Sequence, residues 1–158
     1  MKIEKLAAID IGSNAIRLLV TNVITEREGK EPTFVKSALV RVPIRLGADT
    51  FNQKNISEES KNRMIKALEA FKLLMDVHGV KNYKACATSA MREAKNGIAV
   101  TEEIFEKTSV KIDIIDGKKE ASIIFSTDLS AIIKNDRSYI YVDVGGGSTE
   151  FTIFSNGK

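Results

Sequence analysis

The chain has one cysteine, Cys86, among 158 residues. That excludes an intramolecular disulfide framework and any zinc site built on several cysteines, and it points to a reduced, cytoplasmic compartment. No apolar run approaches the ~18–20 residues that a membrane span needs. The N-terminus lacks the form of an export signal, because Lys2, Glu4 and Lys5 lead into six residues, Leu6–Ile11, already interrupted by Asp10. Excess charge of one sign is also missing. The 24 Lys and Arg against 21 Asp and Glu leave a net charge of +3, scattered apart from short runs such as Lys118-Lys119. Neither nucleic acid nor a membrane surface is therefore an expected partner. No internal repeat or low-complexity stretch is present. What remains is 43% hydrophobic and 28% charged, the composition of about one ordinary soluble domain.

The hydrophobic pattern opens with β-structure. Leu6–Ile11 reads as a buried strand and Ala15–Ile24 as a second, joined by the turn Gly12-Ser13-Asn14. A charged loop with Gly29 and Pro32 leads to a Val-rich strand, Phe34–Ile44. A helix follows, with Ser57 to cap it, Glu58 and Glu59 in its first turn and Gly79 to close it. Met64, Leu68, Phe71 and Met75 give it one apolar stripe, which reads as core. Tyr83–Thr88 is a short strand, Thr101-Glu102-Glu103 opens a short helix, Lys111–Ile115 is another strand, and a helix runs from about Lys118 to Ile133. Tyr139–Val144 and Phe151–Phe154 then form a hairpin across a glycine turn. The expected fold is α/β, a mixed five-stranded sheet with helices on both faces. The final hairpin begins a second copy of that pattern, since Tyr141-Val142-Asp143-Val144-Gly145 echoes Ala8-Ile9-Asp10-Ile11-Gly12. Residues 1–135 form the expected first domain, and residues 136–158 open a truncated second one.

Chemistry concentrates at the two echoing turns. Gly12 permits a tight turn whose N–H groups approach an anion, Ser13 and Asn14 add side-chain donors, and Arg17 follows three residues on. A plain hairpin turn with a surface arginine would contain the same residues. The second turn is more telling. Gly145, Gly146 and Gly147 are costly in backbone entropy, yet they suit a nest of N–H groups around a phosphate, with Ser148 beside them. Asp143 and Glu150 bracket the nest, and hard carboxylates beside phosphate are the ligands Mg²⁺ takes. Glu120 follows a glycine-containing loop at the start of a helix, a position the helix dipole also favours for any glutamate. Cys86 reads as packing, His78 as a helix-end cation, and Arg45 as either cleft wall or salt bridge.

Two phosphate-type turns in a repeated topology resemble the actin-like, sugar-kinase and chaperone ATPase superfamily, with its ribonuclease H-like domains. The segments Ala8–Leu19, Arg45-Leu46-Gly47, Ala87–Gly97, Asp116–Ala121 and Asp143–Glu150 follow the order and spacing of the exopolyphosphatase/guanosine pentaphosphatase (Ppx/GppA) phosphatases. The resemblance covers essentially the whole chain. It implies that Glu120 is the general base activating water, and that Arg92 clamps phosphate with Thr88 and Ser89 assisting. It also implies that Asp143 and Glu150 bind Mg²⁺, with Asp10 helping through water. Two positions depart from the family loop: Asp116 stands where serine is usual, and Lys119 where the first of two glutamates is usual. The implied reaction is removal of a terminal phosphate from inorganic polyphosphate or guanosine pentaphosphate. The rival is a non-catalytic module that binds either ligand without turnover. The apolar strands of the last hairpin, lacking the rest of a domain, lead us to expect Ser138–Lys158 to be either poorly ordered or buried against another copy of the chain, in a homodimer or strand swap.

Overall fold

Alternation of side chains sets the first strands. The computed structural model describes residues 1–27, 29–124, 126, 137–146 and 149–155. In β1 (Lys2–Ile11) Ala7, Ile9 and Ile11 are buried, whereas Leu6 and Ala8 are exposed. In β2 (Ala15–Thr25) the buried set is Ile16, Leu18 and Val20. These two strands pair antiparallel with Ile9 opposite Leu18 and Ile11 opposite Ile16, so one face is apolar across both. β3 (Thr33–Pro43) continues the meander, and β4 (Asn82–Ala87) and β5 (Asp113–Ile114) add in parallel on the other side. The order is β3-β2-β1-β4-β5, the expected mixed five-stranded sheet.

Four helices close the buried face: α1 (Leu46–Gln53), α2 (Glu58–His78), α3 (Ser89–Glu93) and α4 (Gly97–Thr108). Met64, Leu68 and Phe71 of α2, Met91 of α3 and Ile104 of α4 join Ile9, Ile16 and Leu18 in one cluster. α2 carries the punctuation expected of it. The Ser57 hydroxyl accepts from the Ser60 N–H at 3.2 Å, and Gly79 ends the helix at φ 71°. The Ser57 hydroxyl in turn donates to Asp49 at 2.5 Å. Burial pushes the Asp49 carboxyl up, but its bonds from the Ser57 hydroxyl and N–H outweigh that and hold it low.

Four elements correct the sequence reading. α1 and α3 were not expected; they are eight and five residues long, and neither has a side-chain cap. α4 begins at Gly97, four residues before the Thr101 start. There a Cβ would lie 2.2 Å from the Met91 carbonyl oxygen, so glycine serves a close approach and does not break the helix. The residue before it, Asn96, spends no bond on capping. Its side chain accepts from Ile56 N–H at 2.8 Å and donates to Ile56 O at 2.9 Å, tying the loop before α2 to α4. β5 is two residues long where five were expected.

The opposite sheet face carries Leu6, Ala8, Leu19 and Leu39, exposed or half-buried. α5 (Gly117–Ile124) has no buried residue, and the continuation expected towards Ile133 lies outside the described residues. β6 (Tyr139–Val144) and β7 (Thr149–Phe154) form a separate two-stranded antiparallel sheet, β7 starting two residues before the Phe151 of the sequence reading. Ile140, Val142, Val144, Phe151 and Ile153 of this hairpin are exposed.

Candidate active site

A cavity of about 190 Å³ opens where the two glycine turns meet. Asp10, Gly12, Ser13, Asn14, Ala15 and Arg17 line it from the first hairpin, Val144, Gly145 and Gly146 from the second, and Thr88, Ser89 and Glu120 from the β4–α3 and α5 segments. The turns touch: a Cβ on Gly146 would lie 2.2 Å from Asn14 Nδ2. Glycine leaves room there for the Asn14 side chain.

Sheet register delivers the first group. Parallel pairing sets Ile11 beside Ala87, and the Thr88 N–H donates to the Ile11 carbonyl at 3.1 Å, which brings the end of β4 to the first turn. Ser13 and Ser89 are both buried, with their hydroxyls 2.8 Å apart. One hydroxyl proton lies in that bond; the pair holds a second. α1 braces the same turn, since the Gly47 N–H donates to Ser13 O at 2.8 Å and the Arg45 N–H to Asn14 O at 2.9 Å. Arg45 sits at φ 65°, in the left-handed region uncommon for a residue with a side chain. It does not line the cavity.

Several of the expected site residues have partners within the chain. Gly12 lines the cavity, and its N–H closes the turn onto the Ala15 carbonyl at 3.1 Å, so this amide is engaged within the turn. Arg17 stands directly across from Asp10 and forms an ion pair with it at 3.5 Å. Arg92 does not line the cavity. Its Nη1 donates to the Ile115 carbonyl at 2.8 Å and reaches Glu120 at 3.4 Å, behind the wall that Glu120 forms. Asp116 caps α5, its carboxylate accepting the Lys119 N–H at 2.7 Å. This places Glu120 in the first turn of α5.

Cys86 is half-buried and lies on the sheet face away from the core, in register between Asp10 and Asp113. Burial pushes its thiol up against the opposing pull of the Lys84 charge, an environment for an inert thiol. His78 ends α2, as expected. Asp143 and Glu150 are direct register partners in β6 and β7. Gly147 and Ser148 lie outside the described residues. Among the described residues no cluster of three or more metal-ligating side chains forms, and no helix is long and apolar enough to cross a membrane.

Known proteins resemble this chain in sequence and in fold. The model of the Ppx/GppA phosphatase family matches residues 23–158. A bifunctional 3-dehydroquinate synthase/phosphatase of Fusobacterium nucleatum is 37% identical over 151 residues, covering 93% of this chain and 22% of that protein. Exopolyphosphatase 1 of Mycobacterium tuberculosis is 27% identical over 146 residues, covering 92% of this chain and 41% of its own. Among solved structures, an exopolyphosphatase from Cytophaga hutchinsonii superposes with a TM-score of 0.84 at 28% identity, over 98% of this chain and 48% of that one. The Aquifex aeolicus Ppx/GppA family member gives 0.80 at 26% identity, over 99% and 49%. The chain spans less than half the length of each of these relatives.

Proposed function

This chain belongs to the Ppx/GppA phosphatase family, and from that premise we propose that it supplies the base and the phosphate turns of a cytoplasmic hydrolase. Its substrate is the terminal phosphoanhydride of inorganic polyphosphate or guanosine pentaphosphate. One observation carries the reading: both glycine turns and Glu120 line the same cavity.

The chemistry needs in-line positioning and neutralisation of the equatorial oxygens. Gly145 and Gly146 bring backbone close to the anion, and the Ser13–Ser89 pair offers a hydroxyl proton at the cavity floor. Glu120 takes the proton of the attacking water. Arg92, held by the Ile115 carbonyl, keeps positive charge beside that carboxylate from behind the cavity wall. Asp143 and Glu150 fit Mg²⁺ by donor chemistry, as hard oxygen ligands at register-paired positions, with Asp10 at the cavity wall. Bound there, the ion would screen phosphate charge.

Glu120→Gln in the longer protein should lower turnover by ~10²–10⁴ with substrate affinity kept within a few-fold, read as phosphate release. Near-parent turnover would overturn the assignment. Running polyphosphate and guanosine pentaphosphate side by side chooses between the two substrates. Phosphate release from residues 1–158 alone tests the binding-module alternative.

A further inference from the structure

Cross-strand register writes one row over the outer face of the main sheet. Arg41 on β3, Arg17 on β2, Asp10 on β1, Cys86 on β4 and Asp113 on β5 are successive direct partners. Direct partners share a face, so Arg41 and Arg17 stand side by side. Like charges directly opposite destabilise a strand pair, so this juxtaposition works against the fold and calls for an anion. Arg17 has one, Asp10 at 3.5 Å, and it also lines the phosphate cavity. Arg41 is exposed on the edge strand, and among the described residues no acid pairs with it. Nearby Arg63 shows what a structural arginine does in this corner: it donates to the carbonyls of Pro43 and Ile44.

We propose that Arg17 and Arg41 form a distal anion subsite, which receives the remainder of a phosphate chain whose end lies in the cavity. The inference rests on the functional reading above and extends it to chain length. Neighbouring strands lie about 4.8 Å apart, so the row leads roughly 10 Å from β1 to the sheet edge. A pyrophosphate in the cavity is too short to follow it; a long chain is not. Two guanidinium forks suit successive phosphates, since each offers paired N–H donors to two oxygens. The row has no aromatic side chain on which a nucleobase could stack, which favours inorganic polyphosphate over single-stranded nucleic acid.

The test measures binding of long-chain polyphosphate and of pyrophosphate to the 158-residue chain at low and high salt. Arg41→Gln should weaken long-chain binding roughly two- to fivefold at low salt, the range for an exposed ion pair. The loss should shrink at high salt and be absent with pyrophosphate. Arg41→Glu should deepen the long-chain loss. Arg27→Gln, on the loop after β2, removes the same charge off the row and serves as the control, with no loss expected. Equal long-chain affinity for parent and Arg41→Gln would overturn the subsite, and so would an equal loss in Arg27→Gln, which would reduce the effect to net charge. Failure of the parent to bind any polyphosphate would overturn both the subsite and the functional reading.

Discussion

Two hairpins of this chain share a pattern and differ in almost everything that follows from it. β1–β2 and β6–β7 each run a strand into Asp-x-Gly, turn, and return antiparallel. The first sits inside a five-stranded sheet under four helices, and Ile16 has no solvent exposure. The second is a two-stranded sheet whose Ile153 is 69% exposed. Local sequence makes the hairpin; neighbouring strands and helices decide whether its apolar side chains are buried. Charge differs as well. Asp10 faces Arg17 across the first pair, whereas Asp143 faces Glu150 across the second. Opposite charges in register neutralise each other, and two acids in register invite a cation.

The comparison breaks most visibly under matched substitution. Ile16→Ala should cost about 2–5 kcal/mol, the range for truncating a buried aliphatic side chain, whereas Ile153→Ala should stay within ~0.5 kcal/mol. Denaturant melts of the two variants check it, and similar costs would mean that the second hairpin is packed in solution. The most direct reason for such packing is a second copy of the chain. Ile140 and Ile153 are direct cross-strand partners, so Ile140→Lys with Ile153→Lys should abolish any concentration-dependent association in sedimentation. Unchanged association would place the interface elsewhere.

Where the hairpins meet, Gly146→Ala drives a methyl into the Asn14 side chain, which is exposed and can turn aside. Stability should change by less than ~0.5 kcal/mol while polyphosphate binding weakens, because the displaced amide lies at the cavity. A melt and a binding titration on one preparation separate the two effects.

The smallest effect concerns the cover of the first hairpin. Lys61 of α2 reaches Glu103 of α4 at 2.5 Å. The Glu103 carboxyl is held below its ordinary 4.5, first by its bond from Lys107 and then by that from Lys61. A carboxyl lowered on folding stabilises fully above its unfolded value, and that contribution fades as pH falls through the lower folded value. The melting temperature should therefore decline below about pH 4.5, and Glu103→Gln should flatten that part of the curve. An unchanged slope in Glu103→Gln would assign the acid loss to other carboxylates.

Periodicity and punctuation were enough for much of this molecule. The apolar runs Leu6–Ile11 and Ala15–Ile24, the Ser57 cap, the Gly79 stop and the echo of Asp-x-Gly are local properties, readable wherever local preference and burial agree. They announced the mixed sheet, the long helix and the two turns. What stayed hidden depends on partners far away in the chain. α1 and α3 are too short to stand on propensity and are held by docking, α1 through bonds to Ser13 and Asn14. Gly97 reads as a helix breaker until the Met91 carbonyl is set against it. The Ser13–Ser89 pair joins residues 76 positions apart. The place of Arg92 behind Glu120, and of Arg17 against Asp10, follows from register and chain crossing, which no run of neighbouring residues encodes. Sequence determined which groups bear the chemistry, because residue type sets charge and donor capacity. Tertiary structure alone decided which of them share a cavity, because only folding brings those groups within hydrogen-bond reach.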